Sequence, residues 1–527
     1  MWNNKFVGKL LVLPLAAFFM SCFNPADYEN YEIKKIQAST NISLPLATGS
    51  LSIQDFLNKL DNNVEVKVYP DGLVYFQYVK SIEWSEIRSL LAFPSQTLNL
   101  TFPVIAASFP PSNVEVKPLS LTSSLEFAFS PEKLKEIQFK GTTLTINASL
   151  FPANPNFPFE IDIKLPSVSL NGIPFQKRVS GQSSFLLNDY IAFLNDNKFS
   201  VDLGLIVKPR ANTVTIPAGS SLNVSLAFSG IDFKYVKGFL GDRTTAIQPQ
   251  VFNVDAFGSA LDKAKVSFAD PRFSVDVLND YGIPVRLTFT SLEARKKPSR
   301  VLSLVTNPAS PIALLSPPVL GQQSTTSLSI TNAKQITDLV PDEFYVAGNA
   351  RINQGLTSGN NFCADTSKLR LKIKSEIPLY GSFSGIVLAD TFDIDLTSIK
   401  SSEVETAALK AKITNELPLD ATLQIYIADS KSIVSDSIFT TAQAAIVVCS
   451  KANAFGELQT AGVYDKEISL NIDKVNKLFA AKKLIVKSVM NTIRNSSGAA
   501  IDVKFKAAYK MDVAIGLKTQ LKISRGL

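Results

Sequence analysis

The chain contains no histidine. That removes the commonest general base and the commonest metal ligand together. A Ser-His-Asp triad, a Cys-His dyad and an HExxH zinc site cannot be assembled from it. Tryptophan is almost absent, with two residues in 527, so a broad indole platform for polymers is not expected. Charge of either sign is modest at 19%, against 46% hydrophobic residues, which is the balance of a folded chain rather than a disordered one. The net charge is only +7, and its lysine pairs at 34–35, 296–297 and 482–483 are isolated. No basic stripe is interleaved with aromatics, so nucleic acid is not an expected partner. Weak attraction to anionic headgroups stays open beside an ordinary solvated surface. After residue 22 there is no apolar run long enough for a membrane-spanning helix.

What is present begins at the N-terminus. Lys5 and Lys9 form a short basic region, and Leu10 to Met20 is an apolar run interrupted by Pro14. Phe19-Met20-Ser21-Cys22 follows, with small Ser21 at the cleavage position. This resembles the lipobox of bacterial lipoproteins, although Phe19 stands where Leu or Val is usual. The resemblance implies a signal peptide over 1–21 and an acylated Cys22 as the first mature residue. Two or three acyl chains, at about 0.8 kcal/mol per buried methylene, hold a protein stably on a bilayer. Residues 22–40 read as a tether, with Asp27 and Glu29 close behind the cysteine. In Bacteroidota lipoproteins such an acidic cluster resembles a signal for surface exposure. With Cys22 lipidated, Cys363 and Cys449 remain. A bridge between them would be worth about 4–5 kcal/mol in the chain-entropy model. Two unpaired thiols are the equal alternative, because Cys449 ends the apolar run Ala445-Ile446-Val447-Val448.

Period-two alternation dominates from residue 41 onward. Val64–Tyr69 alternates, turns at Pro70-Asp71-Gly72 and resumes over Leu73–Tyr78, which predicts a hairpin. Similar strands are predicted at 144–148, 159–165, 199–203, 222–226, 273–277, 369–373, 423–427 and 501–505. Alternation gives each strand one wet and one buried face, as in antiparallel sheets. Short amphipathic helices are predicted behind Ser52 (Ile53, Phe56, Leu57, Leu60), from Ser130-Pro131, and over 186–194, 254–264 and 472–480. The expected fold is all-β and mainly antiparallel, with a few short helices and two or more β-sandwich or tubular, twisted-sheet domains. Proline-rich 296–325 is expected to link an N-terminal region, 41–295, to a C-terminal one, 326–527.

A local phrase recurs: a polar residue, an apolar-Pro pair, then a strand. It occurs at Asn171–Phe175, Asn279–Val285, Glu376–Gly381 and Asn415–Leu419. Proline cannot donate to a ladder and belongs at strand starts or edges. Asp270-Pro271-Arg272-Phe273 through Asn279 to Pro284 resembles the late-embryogenesis-abundant type 2 sandwich, with Asp270 where Asn is usual. Ser225–Gly241 resembles in texture the strands of tubular lipid-binding proteins, which implies an apolar groove. An ordinary sandwich is the competing reading. As a whole the chain resembles the β-rich lipoproteins of Bacteroidota outer membranes.

Three fragments look like chemistry and are read otherwise. Ser130-Pro131-Glu132-Lys133 fits Ser-x-x-Lys but lacks a Lys-Thr-Gly companion, so a helix cap is expected. Gly381-Ser382-Phe383-Ser384-Gly385 has Phe383 where a nucleophile elbow needs serine, and is read as a turn. Asp393 and Asp395 share a strand face, where a solvated face is expected over a calcium site.

No catalytic residue, metal ligand or cofactor is therefore expected. The expectation is a non-enzymatic binding or scaffolding lipoprotein of the envelope. It would be held to the outer membrane by acyl chains on Cys22, on the periplasmic face or at the cell surface, with an envelope protein as partner. A lipid carrier with a lipid ligand in an apolar groove, and a polymer- or glycan-binding surface lipoprotein, are the alternatives.

Overall fold

Alternation of apolar and polar side chains forms strands because successive residues of an extended chain face opposite ways. Over Ser221–Ser229, Leu222, Val224, Leu226 and Phe228 are buried and the residues between them are half-exposed. Each buried side chain of this kind contributes about 1.5–3 kcal/mol relative to exposure. The computed structural model describes residues 36–52, 65–84, 91–153, 157–253, 265–439, 446–494 and 499–525. Cys22, most of the tether and the helices expected at 53–60 and 254–264 lie outside them. Among the described residues the fold is all-β with two short α-helices, built of open antiparallel sheets and no barrel.

The chain runs outward through three sandwich units and returns. It lays down β1 (Ile36–Ser52) in the first unit and β2 (Val74–Trp84) in the second. The third unit then forms from contiguous sequence: β3 (Gln96–Pro103), β4 (Lys133–Phe139), β5 (Thr143–Phe151), β6 (Phe159–Leu170), β7 (Gly181–Leu186), β8 (Ile191–Phe193), β9 (Ser221–Ser229) and β10 (Phe233–Phe239). The return path completes the second unit with β11 (Arg243–Asn253), β12 (Arg272–Asn279), β13 (Val285–Lys296), β14 (Ser324–Ile330), α1 (Ala333–Leu339), β15 (Glu343–Ile352), β16 (Asn361–Ala364) and β17 (Leu369–Pro378). The first unit closes with β18 (Tyr380–Asp393), β19 (Val404–Asn415), β20 (Leu419–Ala428), β21 (Gly462–Leu470), α2 (Ile472–Ala480), β22 (Lys483–Thr492) and β23 (Lys510–Arg525).

The three units share one strand order. One sheet runs β1-β23-β19-β21 in the first, β2-β17-β12-β14 in the second and β3-β9-β5-β7 in the third. The facing sheet contains β18-β22-β20, β11-β15-β13 and β4-β8-β6 respectively. The helices occupy equivalent places: α1 joins β14 to β15 and α2 joins β21 to β22. The third unit makes that crossing with a tight turn at Leu187–Tyr190, where Tyr190 N–H donates to Leu187 O. The helix expected over 186–194 is therefore a turn and a strand, because Ile191 and Ala192 pair with both β4 and β6. The helix expected at 472–480 is present. Asn471 caps it by accepting from Lys474 N–H, and Val475 and Leu478 are buried beneath it.

Buried asparagines fix the corners at which strands change sheet. At the end of β12, Asn279 Oδ1 accepts from Tyr281 N–H and its Nδ2 donates to Leu315 O. At the end of β19, Asn415 Oδ1 accepts from Leu417 N–H and its Nδ2 donates to Leu419 O and Val448 O. A serine completes each corner: Ser316 Oγ donates to Ile283 O, and Ser450 Oγ to Leu417 O. The recurrent Asn-Pro phrase is thus one structural corner used twice. At Asn171-Gly172 the phrase is instead a hairpin turn, with φ of 51° and 80°, between β6 and Ile173–Val179. At Glu376–Gly381 it marks the passage from the second unit to the first.

Several expectations are corrected by pairing over long sequence separations. Residues 296–325 are not a free link, since Arg300–Ser303 and Ile312–Leu314 pair with β13 and Thr306–Asn307 pairs with β14. Nor do 41–295 and 326–527 fold as separate regions, because β1 pairs with β23 and β2 with β17. Ser130-Pro131 opens no helix. Asn197 accepts from Leu134 N–H and donates to Phe129 O and Glu132 O, which draws the segment into strand β4. Gly381–Gly385 lies inside β18 rather than in a turn. Ser225–Gly241 spans two facing sheets of a packed sandwich, not the wall of a tubular groove.

Replacing Asn415 with alanine strands Val448 O and Leu417 N–H in the core. Each unsatisfied group costs about 1–3 kcal/mol. The expected outcome is a first urea transition destabilised by about 2–5 kcal/mol. Asn171→Gly, at a left-handed turn position, should move it by less than about 0.5 kcal/mol.

Candidate functional site

The described ladders and hydrogen bonds join the first unit to the second and the second to the third, and none joins the first to the third. The first junction is a ladder between Lys265–Phe268 and β18. Gly381 is required there, because a Cβ would sit 2.1 Å from Ser267 O. The second junction pairs β16 with β10. Gly238 opposes Asn361 in that ladder. Its φ of 135° and the Lys133 O that would lie 2.3 Å from a Cβ reflect its close pairing with β4 inside the third unit.

Around this second junction lies a cleft of about 740 Å³. It is lined by Phe129 to Lys133, Asn195 to Lys198, Phe239, Asp242 and Leu356. The same junction holds a polar frame of backbone and side-chain groups. Asn361 Oδ1 accepts from Leu240 N–H and from Asn353 Nδ2, which also donates to Gly241 O. Asp242 accepts two hydrogen bonds of 2.8 Å from Arg351 and a third from Gly355 N–H. Those bonds, led by Arg351, hold the Asp242 carboxyl at about 2. Glu132 is 5% exposed and pairs with Arg243. These charges are neutralised in place, and the pair of Glu132 with Arg243 ties the third unit to the second. The open rim carries Glu126, Asp196 and Lys198, a mixed polar surface.

The other singled-out residues are placed as follows. Cys363 is a buried thiol on β16, and Cys449 an exposed thiol beyond Ile446–Val448 in the first unit. They lie in different units and form no bridge in the structure. Burial and the neighbouring Asp420 carboxylate push the Cys449 thiol upward. Asp393 ends β18, and exposed Asp395 accepts from Thr397 N–H and Oγ1. No cluster of potential metal ligands occurs among the described residues. Trp84, the tryptophan among the described residues, is 1% exposed and cannot serve as a platform. The junction residues carried no local signal, since Asp242 and Arg351 lie 109 positions apart.

No family model matches this chain, and no curated protein matches it. Among solved structures it is similar to a presumed secreted protein of Parabacteroides distasonis, at 11% identity over 91% of this chain and 99% of that one, with a TM-score of 0.28. A structure of the infectious bursal disease virus Gx strain aligns at 9% identity over 89% and 83%, with a TM-score of 0.13. A triple jelly roll turret protein of an archaeal virus aligns at 7% identity over 81% and 90%, with a TM-score of 0.11. With TM-scores below 0.5, none of these likenesses extends to function.

The lowered Asp242 carboxyl adds stability that is complete above its ordinary value of 3.8 and is lost as pH falls toward 2. Amide exchange at Gly355, corrected for intrinsic rate, should therefore accelerate between pH 4.5 and 2.5. The Asp242→Asn protein should show no such acceleration. Maleimide should label Cys449 in the native protein, slowly at neutral pH because its thiol is raised. Cys363 should react only after denaturation, and mass spectrometry of tryptic peptides reads both.

Proposed function

We propose that this chain is a lipid-anchored, non-enzymatic binding or scaffolding component of a bacterial envelope, moored through acyl chains on Cys22. The observation that carries this reading is the order of the units. The strand that follows the tether, β1, belongs to the first unit and pairs with β23 along its length. The third unit lies two junctions away. A mooring before β1 therefore holds one end of the series and leaves the other two units to reach a partner. The 14 residues from Cys22 to the start of β1 can span on the order of 45–50 Å at most. Function on this reading is physical: the bilayer fixes position, and the outer units present sheet faces and edges to an envelope protein. The lipobox at Cys22 supports an outer-membrane location.

Metabolic palmitate labelling of the wild type and of Cys22→Ala, with membrane fractionation, tests the proposal. The wild type should be labelled and membrane-bound, and the variant unlabelled and released. Labelling that persists in the variant rejects the anchor.

A further inference from the structure

We propose that a cleft on the outer face of the second unit, centred on Arg286, binds a small oxyanion: a phosphate, a sulfate or a carboxylate. The site is separate from the junction cleft and does not depend on the lipid anchor. Its volume is about 430 Å³, and Thr244, Arg286, Thr288, Pro311, Asn349 and Gln354 line it beside Arg351.

The first observation is a pair of like charges. Arg286 on β13 and Arg351 on β15 are directly opposed partners in one ladder. Such a pair is unfavourable unless something neutralises it. Arg351 is neutralised by its two bonds to Asp242. Arg286 is not: it donates to the neutral Gln354 Oε1 at 3.2 Å, and no carboxylate lies within ion-pair distance of it among the described residues. One guanidinium fork is left with donors to spare, in a cup walled, besides Arg351, by the hydroxyls of Thr244 and Thr288, the amides of Asn349 and Gln354, and Pro311. That is the chemistry that takes an oxyanion with two parallel hydrogen bonds.

The second observation comes from the repeated fold. The first unit has the same strand order, so equivalent positions can be read from the ladders. Val285 pairs with Ile352, and Leu419, which likewise follows the corner proline, pairs with Thr492. Arg286 and Arg351 thus correspond to Asp420 and Asn491. Thr244, opposite Arg351, corresponds to Ser384, opposite Asn491. In the first unit Ser384 simply donates to Asn491 Oδ1 at 2.8 Å. The scaffold therefore needs no guanidinium at this place, and folding does not account for Arg286.

The test is isothermal titration calorimetry on the full-length protein with sodium phosphate, sulfate and glucuronate, each against sodium chloride at matched ionic strength. At least one oxyanion should bind saturably. Arg286→Gln should weaken it at least tenfold, and Lys431→Gln, at a remote exposed lysine, should leave it unchanged. Arg286→Lys, which keeps the charge and loses the fork, should fall between. Preference for phosphate and sulfate assigns a tetrahedral oxoacid, and preference for glucuronate assigns a carboxylate sugar. Saturable binding by none of the three, or equal affinity in Arg286→Gln, overturns the proposal.

Discussion

In each unit, the sheet that holds the first strand is closed by pairing it with the last strand of that sheet. β3 meets β9 within one contiguous stretch, β2 waits for β17, and β1 waits for β23 at the far end of the chain. The cost of closing a loop rises with the length of chain enclosed. The third unit therefore carries the least closure cost and the first the most. The nesting also means that the two inner closures shorten the effective loop for the outermost one. Until β23 arrives, β1 is an unpaired strand with an open edge on both sides.

The sheets alone do not fix where strands cross between layers. That is set by buried asparagines, whose amide both accepts and donates and so satisfies backbone groups that leave one ladder before joining the next. Asn279 and Asn415 do this inside units, and Asn353 and Asn361 do it between units. The same device thus shapes the first and second sandwiches and locks the second to the third. The pair of Glu132 with Arg243 adds a charged tie across that junction, and Asp242 with Arg351 pins the start of β11 beside it.

The duplicated architecture separates what the scaffold requires from what it merely carries. Corner asparagines and their companion serines recur at equivalent places in the first and second units. The outer sheet faces do not: Arg286 and Arg351 stand where the first unit has Asp420 and Asn491. The divergent faces, unlike the corners, are therefore not fixed by the fold.

Strand identity was legible in the sequence because alternation is local: Leu222 to Phe228 and Val275 to Val277 bury themselves whatever their partners. The helix behind Asn471 was legible for the same reason, since its cap and apolar spacing lie within one short segment. The segments at 130–133 and 186–194 misled because Asn197 and strands β4 and β6, all distant in sequence from one or the other, decide their conformation. The proline-rich stretch 296–325 was read as a link because its short strands gain meaning only beside β13 and β14. By itself, then, the sequence determined an all-β chain and the absence of histidine chemistry. Only the tertiary structure decided the nested three-unit order, the junction of Asp242 with Arg351 and the unneutralised fork of Arg286. The physical reason is that these depend on contacts between residues far apart in the chain, which no local period encodes.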